Sequence, residues 1–193
     1  MEKEKILELF KMTGALQHGH FQLSSGLHSA EYFQCARVLQ YPQYNELLCG
    51  EIARYFHDWR VELVASPAIG GIMVGQEVAR QMRVRGIFAE RQNNVMLFRR
   101  GFEVKQGERV LVCEDVVTTG GSAMEIVELV KWAGGTVVGV ASIVDRSHQP
   151  INFAAKTFHL LKMTADTYKP ENCPLCKENV PIEKPGSRKA DAA

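Results

Sequence analysis

A chain of 193 residues that is 46% apolar and 23% charged suits one well-packed domain, and fits neither wholesale disorder nor two domains. Its net charge of +1 gives no general basic footprint for nucleic acid, and no apolar run approaches the roughly 20 residues that a membrane helix needs. The charged start lacks a signal-peptide core. Five cysteines, an odd number set mostly in apolar segments, suit reduced thiols, so the expected setting is the cytoplasm, without membrane or nucleic-acid partners.

In chain order, Glu4 to Met12 is a short helix candidate with Ile6, Leu7 and Phe10 on one side. Between Thr13 and Gln40 the pattern breaks into short pieces, and Phe21–Leu23 is expected to pair with Glu31–Phe33 as a small hairpin capping a site. Tyr44, Leu47, Leu48, Ile52, Tyr55, Phe56 and Trp59 recur at helical spacing. Val61–Ala65 then reads as a strand, Ser66–Gly71 as a glycine turn, and the stretch with Val74, Val78 and Met82 as a helix. Gly86–Glu90 is a further strand. Arg91–Glu108, with Arg91, Arg99, Arg100 and Lys105, is expected as a basic hairpin standing off the sheet. Strands at Arg109–Cys113, Thr136–Val144 and Lys156–Met163 bracket a helix from Ala123 to Ala133 that Gly134-Gly135 ends. This alternation predicts an α/β fold, an open and mainly parallel sheet flanked by helices. One domain over 1–193 is expected, with a cap at 13–40, a core at 43–168 and a tail at 169–193.

The stretch that organises the chain is Val110–Ser122, V-L-V-C-E-D-V-V-T-T-G-G-S. Its unalternating apolar start suits a strand buried on both faces, and Glu114 and Asp115 follow at the C-terminal end, where open α/β sheets place their ligands. After Val116 and Val117, the glycines Gly120 and Gly121 free backbone N–H groups to turn inward. Thr118, Thr119 and Ser122 add hydroxyls, and the helix that follows favours an anion. A phosphate monoester fits such a loop, with the carboxylates placed to accept hydrogen bonds from its attached group. No lysine precedes the hydroxyls as a Walker loop requires, and Gly120-Gly121 is not a dinucleotide fingerprint. Ala68–Gly71 forms a second strand–glycine–helix turn, able to take the other end of a two-ended anion, or simply to be a turn. Arg146, at the end of its strand, is placed either to grip a ligand carboxylate or to pair with Asp145 or another local acid.

The order of hydrophobics, E-D, two hydrophobics and T-T-G-G-S resembles the signature of the type I phosphoribosyltransferases. In that family the acidic pair holds the ribose hydroxyls of phosphoribosyl pyrophosphate (PRPP) and the loop wraps its 5-phosphate. F-Q-L-S-S-G-L-H-S with E-Y-F, and I-V-D-R at Ile143–Arg146, are similar to the hood and base-binding segments of the orotate branch. The tail C-P-L-C…K-P-G-S-R resembles a bacterial and archaeal group within that branch. The resemblance implies a hood over the core, Glu114–Ser122 on PRPP, and Thr118 and Arg146 on orotate. Ser24 or Ser25, with Gly26, would line the base side. Catalysis would rest on Asp115 and Glu114, with Mg²⁺ carried mainly by PRPP and no metal held by the protein alone. Arg91 matches an arginine that reaches into the neighbouring subunit's site in a homodimer. The family's lysine-rich mobile loop has no clear match, leaving Arg99, Arg100 and Lys105 as candidates for its work. Another base, purine or uracil, or a non-catalytic PRPP-sensing regulator, remain the alternatives.

Cys173-Pro-Leu-Cys176 has the spacing of half a zinc site, but no second pair stands at metal spacing, so free thiols are expected. His18, His20, His28 and His57 show no partner spacing and are expected in surface or loop roles, with His28, in the cap, of most interest.

Overall fold

The computed structural model describes residues 1–23, 25–163 and 166–185. Helix α1 (Lys3–Met12) leads into β1 (Leu16–Gln22) and β2 (His28–Phe33), then α2 (Ala36–Leu39) and α3 (Pro42–Tyr55). The core continues with β3 (Leu63–Pro67), α4 (Gly70–Met82), β4 (Arg85–Gln92), β5 (Val95–Phe98), β6 (Arg109–Val117), α5 (Gly121–Trp132), β7 (Thr136–Asp145) and β8 (Lys156–Lys162). A two-residue strand, β9 (Thr167–Tyr168), and a short helix, α6 (Pro174–Lys177), follow.

Six strands form the main sheet in the order β5-β4-β3-β6-β7-β8, all parallel except the edge strand β5. Both faces are covered, which explains the apolar runs without polar alternation. Val64, Leu111 and Cys113 face the cluster containing α1, α3 and α4, while Leu63, Ala65, Val110 and Val112 face the cluster around α5. The chain lays β4 on one side of β3 and β6 on the other, so the winding direction reverses between β3 and β6. Open parallel sheets bind ligands in the crevice at such a reversal.

Two expectations need correction. The hairpin forms, but β1 and β2 are longer than expected and Phe21 lies opposite Ser29, because an irregularity between His18 and Phe21 shifts the register. The segment after Met163 is not merely tail: β9 pairs with β2 as a third hood strand, and Glu183 exchanges backbone hydrogen bonds of 2.8 Å with His20 and Gln22. The basic hairpin runs past the end of β3, since β4 pairs with β3 only as far as Ala89 and with β5 from Ala89 to Gln92. Asn93 and Asn94, at φ 50° and 63°, make a two-residue turn that folds β5 back along β4.

Candidate active site

Two contiguous cavities meet at the end of β6. The smaller, 140 Å³, is walled by Arg91, Glu114, Val116, Glu125 and the Thr118–Ser122 loop. Gly120 occupies the left-handed region at φ 76°, and a Cβ there would meet Ile151 at 2.8 Å, so the tight entry into α5 requires glycine. No side chain caps α5 and no acid occupies its first turn. Its first N–H groups are therefore left to the cavity, as an anion site needs. Val117 is the exception in the motif: its side chain is 1% exposed in the core, leaving only its backbone, whose carbonyl accepts the Arg146 N–H at 2.7 Å.

Asp115 lies on the other side of the strand end, where its carboxylate rests against Gly70, the first residue of α4. Burial pushes its carboxyl above the ordinary aspartate value, while N–H groups of Val116 and of Asp115 itself oppose that shift. A Cβ on Gly70 would lie 2.6 Å from the Asp115 Cγ, so the second glycine turn shapes the acidic site directly. Gly70→Ala is expected to displace that carboxylate and lower kcat/KM by roughly tenfold to a hundredfold, the scale of an ångström's misplacement. Its melting temperature should hold, because Gly70 has no positive φ to strain. Steady-state kinetics beside a thermal melt check both halves.

The larger cavity, 470 Å³, lies between hood and sheet and includes Ser25, Leu27, Tyr32, Phe33, Asp115, Thr118 and Arg146 in its wall. That volume suits a small-molecule ligand. Arg146 makes neither of the local acid pairings left open for it among the described residues. Asp145 pairs with Lys162 at 3.1 Å, and no carboxylate within ion-pair distance of Arg146 occurs among the described residues. Its guanidinium lies 5.4 Å from the Phe33 ring, its buried Nε has no hydrogen-bond partner among the described residues, and burial lowers its pKa. A buried unpaired donor is costly unless a ligand acceptor completes it.

Several expected residues lie elsewhere. Gly26 does not line the cavity, and Ser24 lies outside the described residues. Arg99 and Arg100 are drawn to Glu90 at 3.4 and 3.1 Å, and Lys105 lines neither cavity. In the single chain Arg91 does not project outward: the short hairpin carries it over α5, where it donates to Glu125 at 2.7 Å. Sequence reasoning missed Gln22, Gln34, Cys35, His148 and Thr167 in the larger cavity's wall. Thr167 carried no signal, because it reaches the site only through the β9–β2 pairing. Cys35 is no nucleophile, since burial and the nearby Asp115 charge push its thiol well up.

The reasoning that left Cys173 and Cys176 without partners is also corrected. His20 and His28 meet them, and the four ligand atoms lie within 4.8 Å of one another. The histidines stand on neighbouring hood strands, so the hairpin joins them across a spacing that no linear pattern marks.

A model of the phosphoribosyl transferase domain matches residues 48–170, so fold and loop together define a phosphoribosyltransferase. The orotate phosphoribosyltransferase of Chlorobaculum parvum is 57% identical over 97% of each chain. That of Caldanaerobacter subterraneus is 55% identical over 98% of this chain and all of its own. The orotate phosphoribosyltransferase structure from Aeropyrum pernix superposes with a TM-score of 0.72 at 21% identity, covering 82% of this chain and 93% of that one. The chain belongs to the orotate phosphoribosyltransferase family.

Proposed function

We propose that this chain transfers the phosphoribosyl group of PRPP to N1 of orotate, releasing pyrophosphate and giving orotidine 5′-monophosphate for pyrimidine synthesis. The observation that carries the choice of base is Arg146, a half-buried guanidinium whose Nε is buried and unpartnered and which has no carboxylate within ion-pair distance among the described residues, in a cavity that opens onto the phosphate loop. Uracil and the purines bring no carboxylate to it.

In this reading the Thr118–Ser122 loop and the α5 N-terminus hold the 5-phosphate. Glu114 and Asp115 accept the ribose hydroxyls, and their charge stabilises the ribosyl cation that develops as pyrophosphate leaves. Thr118 and Arg146 orient orotate. N1 enters deprotonated, so no side chain is assigned as general base. Glu114 and Asp115, at the end of β6, would supply hard oxygen donors of the kind that suits Mg²⁺ brought in with PRPP. When bound, it offsets the negative charge of the leaving group. Orotate plus PRPP, assayed with and without Mg²⁺ and beside uracil and adenine, tests the whole assignment. Turnover with uracil but not orotate would overturn the base.

A cytoplasmic setting belongs to the same proposal, in keeping with five unbridged cysteines and no described helix long and apolar enough to cross a membrane. So does a two-fold homodimer in which Arg91 completes the partner's pyrophosphate site. The Arg91–Glu125 pair is 39% and 38% exposed, and such pairs hold by at most about 1 kcal/mol, so Arg91 is released at little cost. Mixing inactive Arg91→Ala with inactive Asp115→Asn should then restore up to about a quarter of wild-type activity, since half the chains pair into heterodimers with one unlesioned site of two. Mixtures that stay inactive despite proven subunit exchange would mean that Arg91 serves its own chain.

A further inference from the structure

The four side chains that meet beneath the hood bear on a question separate from catalysis. His20 and His28 are 3% and 6% exposed and Cys173 is fully buried, so their polar atoms are withdrawn from water. His20 Nε2 lies 2.9 Å from His28 Nδ1, 3.5 Å from the Cys173 sulfur and 3.7 Å from the Cys176 sulfur. The Cys176 sulfur lies 3.3 Å from His28 Nδ1.

Zinc bonds of about 2.3 Å to sulfur and about 2.0–2.1 Å to nitrogen give a regular tetrahedron S···N edges near 3.6 Å and an N···N edge near 3.4 Å. The three S···N separations bracket that value, the two ring nitrogens must part by about half an ångström to admit an ion, and all four ligand atoms already lie within 4.8 Å of one another. The other ring nitrogen of His20 is already engaged, with Nδ1 2.8 Å from the Val180 carbonyl oxygen. A donor N–H there leaves Nε2 as the lone-pair nitrogen facing the sulfurs, the outer contact that orients a metal-bound histidine.

We infer that His20, His28, Cys173 and Cys176 form a structural zinc site that staples the C-terminal segment to the hood. Two nitrogens and two thiolates make a closed, neutral set for Zn²⁺, with no fourth position left for water or substrate. None of the four lines either active-site cavity, so the metal takes no part in the transfer reaction. Its contribution is positional. Gln22 and Leu27, next to the histidines in their strands and turn, do line the larger cavity, as does Thr167 on the strand that the tail adds. The ion ties residues 20 and 28 to residues 173 and 176, closing a long loop around the base side of the site.

The test uses the full chain, purified without a metal-binding tag. Elemental analysis should find about one zinc per chain in the wild type and near-complete loss in the double variant Cys173→Ser, Cys176→Ser. Because that variant risks misfolding, the wild type is also stripped with a chelator and titrated with Co²⁺. A tetrahedral site with thiolates should then show intense visible d–d bands and a sulfur-to-cobalt charge-transfer band, both removed by one equivalent of Zn²⁺. Zinc should restore the melting temperature that stripping lowers by several degrees. Wild-type protein without zinc that gives only weak octahedral cobalt bands would overturn the site, as would equal zinc in the folded double variant.

Discussion

Asp115→Asn is expected to lower kcat/KM by roughly 10²–10³-fold, the scale on which one preorganised electrostatic contact to a transition state is lost, while leaving the fold at least as stable. The second half follows from sign. Burial raises the Asp115 carboxyl, so the native state binds that proton more tightly than the unfolded chain. An acid of this kind adds stability only below its unfolded value of about 3.9, loses that gain as pH rises through the folded value, and opposes folding above it. Wherever Asp115 is charged the fold therefore disfavours that charge, and the neutral amide removes it. Thermal melts should show the variant equal or higher at neutral pH, with the difference vanishing in acid. Leu111, on the same strand and wholly buried, gives the contrast: Leu111→Ala should cost about 2–5 kcal/mol. Near-normal turnover in the Asp115 variant would remove that residue from the ribose site, and a collapsed melting temperature would make its role structural.

How much of this was legible in the chain divides along a physical line. Val110–Val112 announced a strand buried on both faces because such burial imposes one composition regardless of partners. The loop after it announced an anion because glycines, hydroxyls and a helix start are contiguous there. The failures lie where distant segments meet. Thr167 joins the cavity through a two-residue strand pairing with β2, and nothing in Thr167-Tyr168 distinguishes that strand from loop. The histidines of the candidate metal cluster are eight residues apart, outside the short spacing of a helical or knuckle site; only a hairpin register puts them face to face. Arg91 illustrates a third limit. Its position at the end of β4 was readable, but the asparagine turn that folds the hairpin down over α5 decides where its charge lies. Helix α3 ends at Tyr55, earlier than the apolar spacing through Trp59 suggested, because a 3-10 turn and a left-handed Arg60 at φ 50° redirect the chain. Phe56 and Trp59 still pack together there, so past Tyr55 the spacing marked packing and not helix, while Leu47 and Tyr55 within the helix are exposed.

Arg146→Ala is expected to raise the orotate KM, or lower turnover with orotate, by about 10- to 150-fold, because a charge-assisted contact to a ligand carboxylate contributes roughly 1.5–3 kcal/mol. PRPP binding should change little, since Arg146 lies in the larger cavity and not in the wall of the phosphate loop's cavity. A purely structural arginine would behave otherwise: removing it would strip a partner from some protein acid and lower stability. Here Asp145 already has Lys162, burial disfavours the Arg146 charge, and the nearby Glu31 has His18 at 3.6 Å, so truncation breaks no ion pair among the described residues. Arg146→Lys sharpens the distinction. It keeps the positive charge but loses the planar fork and the stacking on Phe33, so it should recover only part of the orotate affinity. The ratio of orotate to uracil turnover should fall in the order wild type, lysine variant, alanine variant. If orotate kinetics are unchanged in Arg146→Ala while the protein melts normally, the carboxylate is read by another group and the choice of orotate loses its structural support.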